Sequence, residues 1–181
     1  MSWYRTAAAR RLAPLLAVLA LVLVAGCTAD RSTSSVSAPA SAAKALDFTG
    51  TTLTDKPFDG ATLKGTPVVL WFWAPWCTVC RAEAPDVAAV AAEYAGRVTF
   101  VGVPGLGQVS AMKAFVAETG TSGFQQVSDV DGSLWQRFGV VSQPSFVFVD
   151  GSGRAQRIVG SLGASDLQQQ IQALLSGSAG T

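Results

Sequence analysis

The sequence predicts an α/β domain: a mixed central β-sheet flanked by helices, with extra strands at its N-terminal edge. Three observations predict it. From residue 46 onward, short apolar runs alternate with segments of helical periodicity. One run, "TPVVLWFWA" at 66–74, is apolar almost throughout, as expected of a strand covered on both faces. The alternation then closes with two strands around Gly151-Ser152-Gly153 and a final helix, which makes the sheet mixed.

"LDFTGTTLTDKPFDG" (46–60) reads as early strands separated by polar turns, the N-terminal strand extension. After the 66–74 strand a helix should run from Thr78 to about Tyr94, bent by the internal Pro85. "RVTFVGVP" (97–104) is the next strand. Ser110 to Thr119 reads as a helix with Met112, Phe115 and Val116 turned inward. "FQQVSD" (124–129) is a short strand and Leu134 to Phe138 a short helix. "PSFVFVD" (144–150) and "GRAQRIVG" (153–160) form the hairpin. In the last helix Ser165 and Gln168 make a capping-box pattern, and Leu167, Ile171, Leu174 and Leu175 form one apolar stripe.

The first 45 residues read differently. Arg5, Arg10 and Arg11 precede an uncharged run, Leu12 to Gly26. As a helix that run covers about 22 Å at ~1.5 Å per residue, short of the ~30 Å hydrocarbon core. It therefore reads as the h-region of a signal peptide that spans residues 1–26. It ends "LVAGC", and small residues followed at once by cysteine resemble a bacterial lipobox, with cleavage before Cys27 and lipid on its sulfur. The other reading is an ordinary signal peptide that leaves Cys27 a free thiol. The "LAP" after Arg10–Arg11 does not support twin-arginine export. Residues 27–45, rich in Ser, Ala and Thr, read as a flexible tether. The folded domain is expected over residues 46–176, with a Gly/Ser tail at 177–181. Such a protein works outside the cytoplasm, tied to the cell membrane by lipid, where disulfides persist.

Composition removes several classes of function. Hydrophobic residues make up 49% and charged residues 14%, too apolar for a disordered chain. A formal net charge of +1 gives no footprint for nucleic acid. There is no histidine, hence neither the commonest general base nor a major metal ligand. The three cysteines are Cys27, Cys77 and Cys80. One close pair without histidine falls short of the four ligands of structural zinc. Covalent haem needs histidine after the second cysteine, where Arg81 stands. A purely structural disulfide would close so small a ring that it hardly restrains the unfolded chain. A redox couple has a mechanism. A buried strand ends at Trp73 and a helix opens at the cysteines, which puts Cys77 where free N–H groups and the helix dipole favour a thiolate. Cys80 lies one turn on, within disulfide reach and better buried. Cys77 then attacks and Cys80 resolves, with Pro75 and Trp76 as an apolar rim. No cofactor or metal is called for. Two further patterns are traps: "GLGQVS" (105–110) looks like a dinucleotide loop but lacks its last glycine, and "DVDG" (129–132) lacks most calcium ligands and reads as a turn.

"WFWAPWCTVC" resembles a thioredoxin-fold active site. "CRAEAP" after it, and "DVDGSLWQRFGVVSQPSFVFVD" (129–150), are similar to the extracytoplasmic TlpA-like and Dsb-type branch, including secreted actinobacterial lipoproteins. The likeness covers roughly residues 46–176 and implies a thioredoxin fold. It implies that the Gln143–Pro144 bond is cis and faces the disulfide, where Pro144 excludes a third ligand and lets a substrate strand pair with its loop. Trp76, Thr78, Val79 and Gln143 are then substrate contacts, and Glu83 tunes the ionisation of the cysteines. A simpler reading makes Glu83 an exposed acid favoured by the helix dipole, and Pro144 a strand-start proline.

Two departures stand out. Thioredoxin carries a buried Asp six residues before its first cysteine, where Trp71 stands here. Val79 replaces a proline, and keeps an N–H able to point at the Cys77 thiolate. One charged hydrogen bond of ~1.5–3 kcal/mol corresponds to roughly 30–60 mV, toward a more oxidising couple. The expected protein is an extracytoplasmic thiol–disulfide oxidoreductase that oxidises exported protein thiols and is reoxidised by a quinone-coupled membrane partner. One alternative is a reductant of apocytochrome c or other thiols, fed by a transmembrane electron carrier. Another is a non-enzymatic module that holds a client or copper through its thiols, although the lack of histidine and of nearby methionine argues against copper.

Overall fold

The computed structural model describes residues 44–177. The readings of Cys27, of the signal segment, of most of the tether and of the last four residues lie outside it. Seven strands form one sheet: β1 (Thr49–Thr52), β2 (Pro57–Asp59), β3 (Val68–Trp73), β4 (Thr99–Pro104), β5 (Gln125–Ser128), β6 (Ser145–Val149) and β7 (Ala155–Val159). Four helices join them: α1 (Thr78–Glu93), α2 (Val109–Thr119), α3 (Ser133–Arg137) and α4 (Ala164–Leu175). The strand order is β2-β1-β5-β4-β3-β6-β7. The β3–β4 and β4–β5 pairs are parallel, and β1–β2, β1–β5, β3–β6 and β6–β7 are antiparallel. This is a thioredoxin fold with a mixed sheet, and the β1–β2 hairpin extends its N-terminal edge.

The central strand explains the architecture. All six residues of β3 are buried, because helices cover one face of the sheet and α3 with the N-terminal segment cover the other. Strand alternation sends Val69, Trp71 and Trp73 to the face under α1, α2 and α4. Val68, Leu70 and Phe72 go to the opposite face, beside Leu134, Trp135, Phe48 and Phe58. Each such large side chain contributes on the order of 1.5–3 kcal/mol when fully removed from water.

Two local expectations are corrected. Ser165 does not cap the last helix: α4 begins at Ala164 with Gly163 as its N-cap, and the Ala164 N–H donates to Asp86 Oδ2 of α1 at 3.3 Å. Leu175 is 37% exposed, so the inward stripe of α4 is Leu167, Ile171 and Leu174. Met112 and Phe115 turn inward and are fully buried, and Val116, partly buried, packs against the same core. α1 runs continuously through Pro85. "DVDG" works as a turn whose first residue caps α3: Asp129 Oδ1 accepts from the Leu134 N–H at 3.0 Å and Oδ2 from the Trp135 N–H at 2.8 Å.

Candidate active site

β3 ends at Trp73, and the chain turns through Ala74, Pro75 and Trp76 before α1 begins. The Cys77 N–H closes the turn on the Ala74 carbonyl at 3.1 Å. Cys77 is the N-cap of α1, with extended backbone angles. Its sulfur takes the place of a capping oxygen and accepts the Cys80 N–H at 3.0 Å. Cys77 and Cys80 are disulfide-bonded, with Cα atoms 5.3 Å apart. Cys77 is 6% exposed and Cys80 fully enclosed, so a partner thiol reaches the pair through Cys77. A negative charge on that sulfur would meet the first-turn N–H groups and the positive end of the helix dipole. In this disulfide form the donor on Cys77 is the Cys80 N–H.

An apolar rim surrounds the sulfur. Trp76 is 60% exposed and Val79 50%, and Thr78 is exposed between them. The Trp76 indole N–H donates to the Leu106 carbonyl at 2.7 Å, tying the rim to the β4–α2 loop. That loop lies so close that a Cβ on Gly107 would stand 2.5 Å from Pro75 Cγ, so only glycine fits. The Gln143–Pro144 bond is cis. The β3–β6 register pairs Phe72 with Ser145 and so sets Pro144 at the same end of the sheet as the cysteine turn. Pro144 is buried and Gln143 half-buried, and the Pro144 carbonyl accepts the Gly160 N–H at 2.9 Å.

Behind the pair, Glu83 sits one turn beyond Cys80 on α1 and is only 4% exposed. The simpler reading of it as an exposed early-turn acid is therefore wrong. Its Oε1 accepts the Trp71 indole N–H at 2.8 Å. Its Oε2 accepts the Ser161 hydroxyl at 2.6 Å and the Leu162 N–H at 3.1 Å. Burial pushes its pKa above the ordinary 4.5; the bonds from Ser161, Trp71 and Leu162 oppose that rise and the charge of Asp86 adds to it. Trp71 thus occupies the strand position where thioredoxin keeps an acid, and donates to an acid on the helix instead. Sequence reasoning missed Trp71, Ser161 and Leu162 as its partners. The Trp71 substitution was the one signal that could have found them, since a buried indole N–H calls for an acceptor. Nothing local marks Ser161. Trp73 is served separately, by Gln126 Oε1 at 3.1 Å. Gln126 reaches it by crossing Gly102, where a Cβ would stand 1.7 Å from that oxygen.

Fold and pair together define a thiol–disulfide oxidoreductase of the thioredoxin type. The chain belongs to the AhpC/TSA family, whose pattern matches residues 42–158. It is 42% identical over 134 residues to the soluble secreted antigen MPT53 of Mycobacterium tuberculosis, covering 72% of this chain and 76% of that protein. It is 30% identical over 127 residues to the thiol:disulfide interchange protein HelX of Rhodobacter capsulatus, covering 69% and 70%. Among solved structures it resembles M. tuberculosis DsbF, with a TM-score of 0.70 and 46% identity over 72% of this chain and 96% of that one. It also resembles a secreted M. tuberculosis disulfide oxidoreductase homologous to Escherichia coli DsbE, with a TM-score of 0.65 and 41% identity, covering 74% and 98%.

Proposed function

We propose that the protein works outside the cytoplasm, anchored by lipid on Cys27, and passes its disulfide to the thiols of exported proteins. The observation that carries the direction is the Cys77 sulfur at the start of α1 with the Cys80 N–H 3.0 Å away. Both features favour the thiolate, hence the reduced protein, and a couple whose reduced form is stabilised is the stronger oxidant. The client thiolate attacks Cys77 Sγ. The Cys77–Cys80 bond breaks with its electron pair on Cys80, which takes a proton, with Glu83 as its source. A second client thiolate attacks the client sulfur of the mixed disulfide, and Cys77 leaves as thiolate. The client has lost two electrons and the pair has gained them. A quinone-coupled membrane oxidase then removes them. Trp76, Thr78, Val79 and Gln143 contact the client, and Pro144 keeps other ligands from the sulfurs. The secreted mycobacterial relatives support the extracytoplasmic setting.

A second reading has its own observation. Glu83, when ionised, sets a buried negative charge one turn from Cys80. That opposes a thiolate, favours the disulfide, and suits a reductant fed by a transmembrane carrier, for apocytochrome c or other thiols. Equilibration with glutathione separates the two. The oxidant reading expects a reduction potential above thioredoxin's, about −270 mV; a value at or below it supports the reductant. Membrane fractionation of wild type and Cys27→Ser tests the anchor. Wild type should sediment with membranes and the variant should not. Equal release of both would show that Cys27 holds nothing.

A further inference from the structure

We propose that Ser161 is the route by which protons reach and leave Glu83, which makes Ser161 a positioning residue of the thiol chemistry. This rests on the reading of Glu83 as the acid that serves Cys80. Two of the three partners of Glu83 can only donate: the Trp71 indole N–H on Oε1 and the Leu162 backbone N–H on Oε2. A proton placed on Oε1 finds no acceptor in its partner there, because the Trp71 indole only donates. On Oε2 it meets the Ser161 oxygen at 2.6 Å, which among these three partners is the one able to accept it. A hydroxyl rotates; it donates to the carboxylate and accepts from the acid. Ser161 is thus the single partner that suits both protonation states.

It is also the partner with access to water. Glu83 is 4% exposed and Trp71 fully buried, whereas Ser161 is an exposed residue in the β7–α4 loop. Its place is fixed on both sides: Gly160 donates to the Pro144 carbonyl at 2.9 Å, and Leu162 donates to Glu83 itself. The ionisable groups near Glu83 are few. On α1 they are Cys80, held in the disulfide, and Asp86, which is occupied by the Ala164 N–H. β3 faces it with Trp71 and the loop with Ser161 and Leu162, none of them charged.

When the Cys77–Cys80 bond breaks, Glu83 gives its proton to the Cys80 thiolate and becomes a carboxylate. Ser161 then passes its hydroxyl proton to Oε2 while its oxygen takes one from solvent water. No electrons move in this relay. When the pair is reoxidised the same protons leave in reverse order.

The test is single-turnover reduction of the oxidised full chain by dithiothreitol, from about pH 4 to about pH 9, a range that runs from ordinary carboxyl to ordinary thiol values. Ser161→Ala should be slower by about tenfold, a share of the ~10²–10⁴ that positioned acid–base groups supply. Ser161→Thr should restore the rate because it keeps the hydroxyl. Imidazole, a small proton carrier, should speed Ser161→Ala and leave wild type unchanged. Glu83→Gln should be slow with or without imidazole. If Ser161→Ala matches wild type in rate and pH profile while Glu83→Gln is slow, the relay is wrong and the role of Glu83 stands. A slow Ser161→Ala that neither threonine nor imidazole rescues also overturns it, since the loop then matters only as structure. A Glu83→Gln protein as fast as wild type removes the reading of Glu83, and the relay with it.

Discussion

The two faces of β3 are built from alternate residues of one strand, yet they do different work. Val68, Leu70 and Phe72 meet a face of Val101, Val103, Val147 and Val149, which is held by packing. Trp71 and Trp73 meet Phe100, Phe115, Phe146 and Phe148, and each of their buried N–H groups has one assigned acceptor, Glu83 or Gln126. The first face is specified mainly by volume and shape, and the Trp135 indole N–H there is met by a backbone oxygen, the Val103 carbonyl at 3.0 Å. The second is specified by polar partners whose loss leaves a buried donor or acceptor unmatched. The redox pair lies on the second face, where the cysteines share α1 with the buried acid.

The largest effect should come from the pair itself. Cys77→Ser should lower thiol exchange to background in an insulin-reduction assay. Cys80→Ser should accumulate mixed disulfides through Cys77, visible on non-reducing gels. A Cys80→Ser protein that traps no client would count against turnover through Cys77.

Substitutions on the two faces should differ in kind. Leu70→Ala, on the packed face, should cost about 2–5 kcal/mol of stability, the range of buried leucine truncations. The pH profile of exchange should not move. Trp71→Phe, on the redox face, should cost less, about 1–3 kcal/mol for the unmatched Glu83 oxygen. It should move the acid limb of the profile upward, because the lost bond is one that lowers the Glu83 pKa. Urea unfolding and exchange rates on the same samples decide it. A profile that shifts in Leu70→Ala would erase the distinction between the faces.

A smaller effect concerns stability against pH in the oxidised protein, whose cysteines do not titrate. The pKa of Glu83 is raised in the fold above its ordinary 4.5. Between those two values the native state holds more protons than the unfolded one. Its contribution is therefore fully present below the ordinary value and is lost as pH rises through the folded value. Measured against Glu83→Gln, wild type should lose stability as pH climbs through that window. Glu83→Gln is itself not silent: either amide orientation turns its NH₂ toward a donor, the Trp71 or the Leu162 N–H. A difference between the two proteins that is flat with pH would mean that Glu83 titrates normally.

The fold was legible because its signals are local. A continuous apolar strand, a helix opening at two cysteines and a Gly-Ser-Gly hairpin each show in a short window, and the resemblance tied Pro144 to the same site. The details that failed are those set by distant residues. Ser165 looked like a cap, but the helix starts one residue earlier, at Ala164, whose N–H is taken by Asp86 of α1. The Cys80 N–H, which the N-cap geometry brings to the Cys77 sulfur in the disulfide form, was not foreseen. Glu83 showed its position in the sequence and not its burial, which is created by Trp71, Ser161 and Leu162 from two other parts of the chain. Spacing cannot encode such partners, because they meet only when β3, α1 and the β7–α4 loop pack together.

The central claim is that the buried carboxyl and the cysteine pair form one titrating unit. Its most direct test is the carbon NMR titration of the Glu83 carboxyl in the oxidised and the reduced protein. The account predicts a midpoint above the ordinary 4.5 and a different midpoint once the disulfide is reduced. An ordinary midpoint that is the same in both states would contradict it.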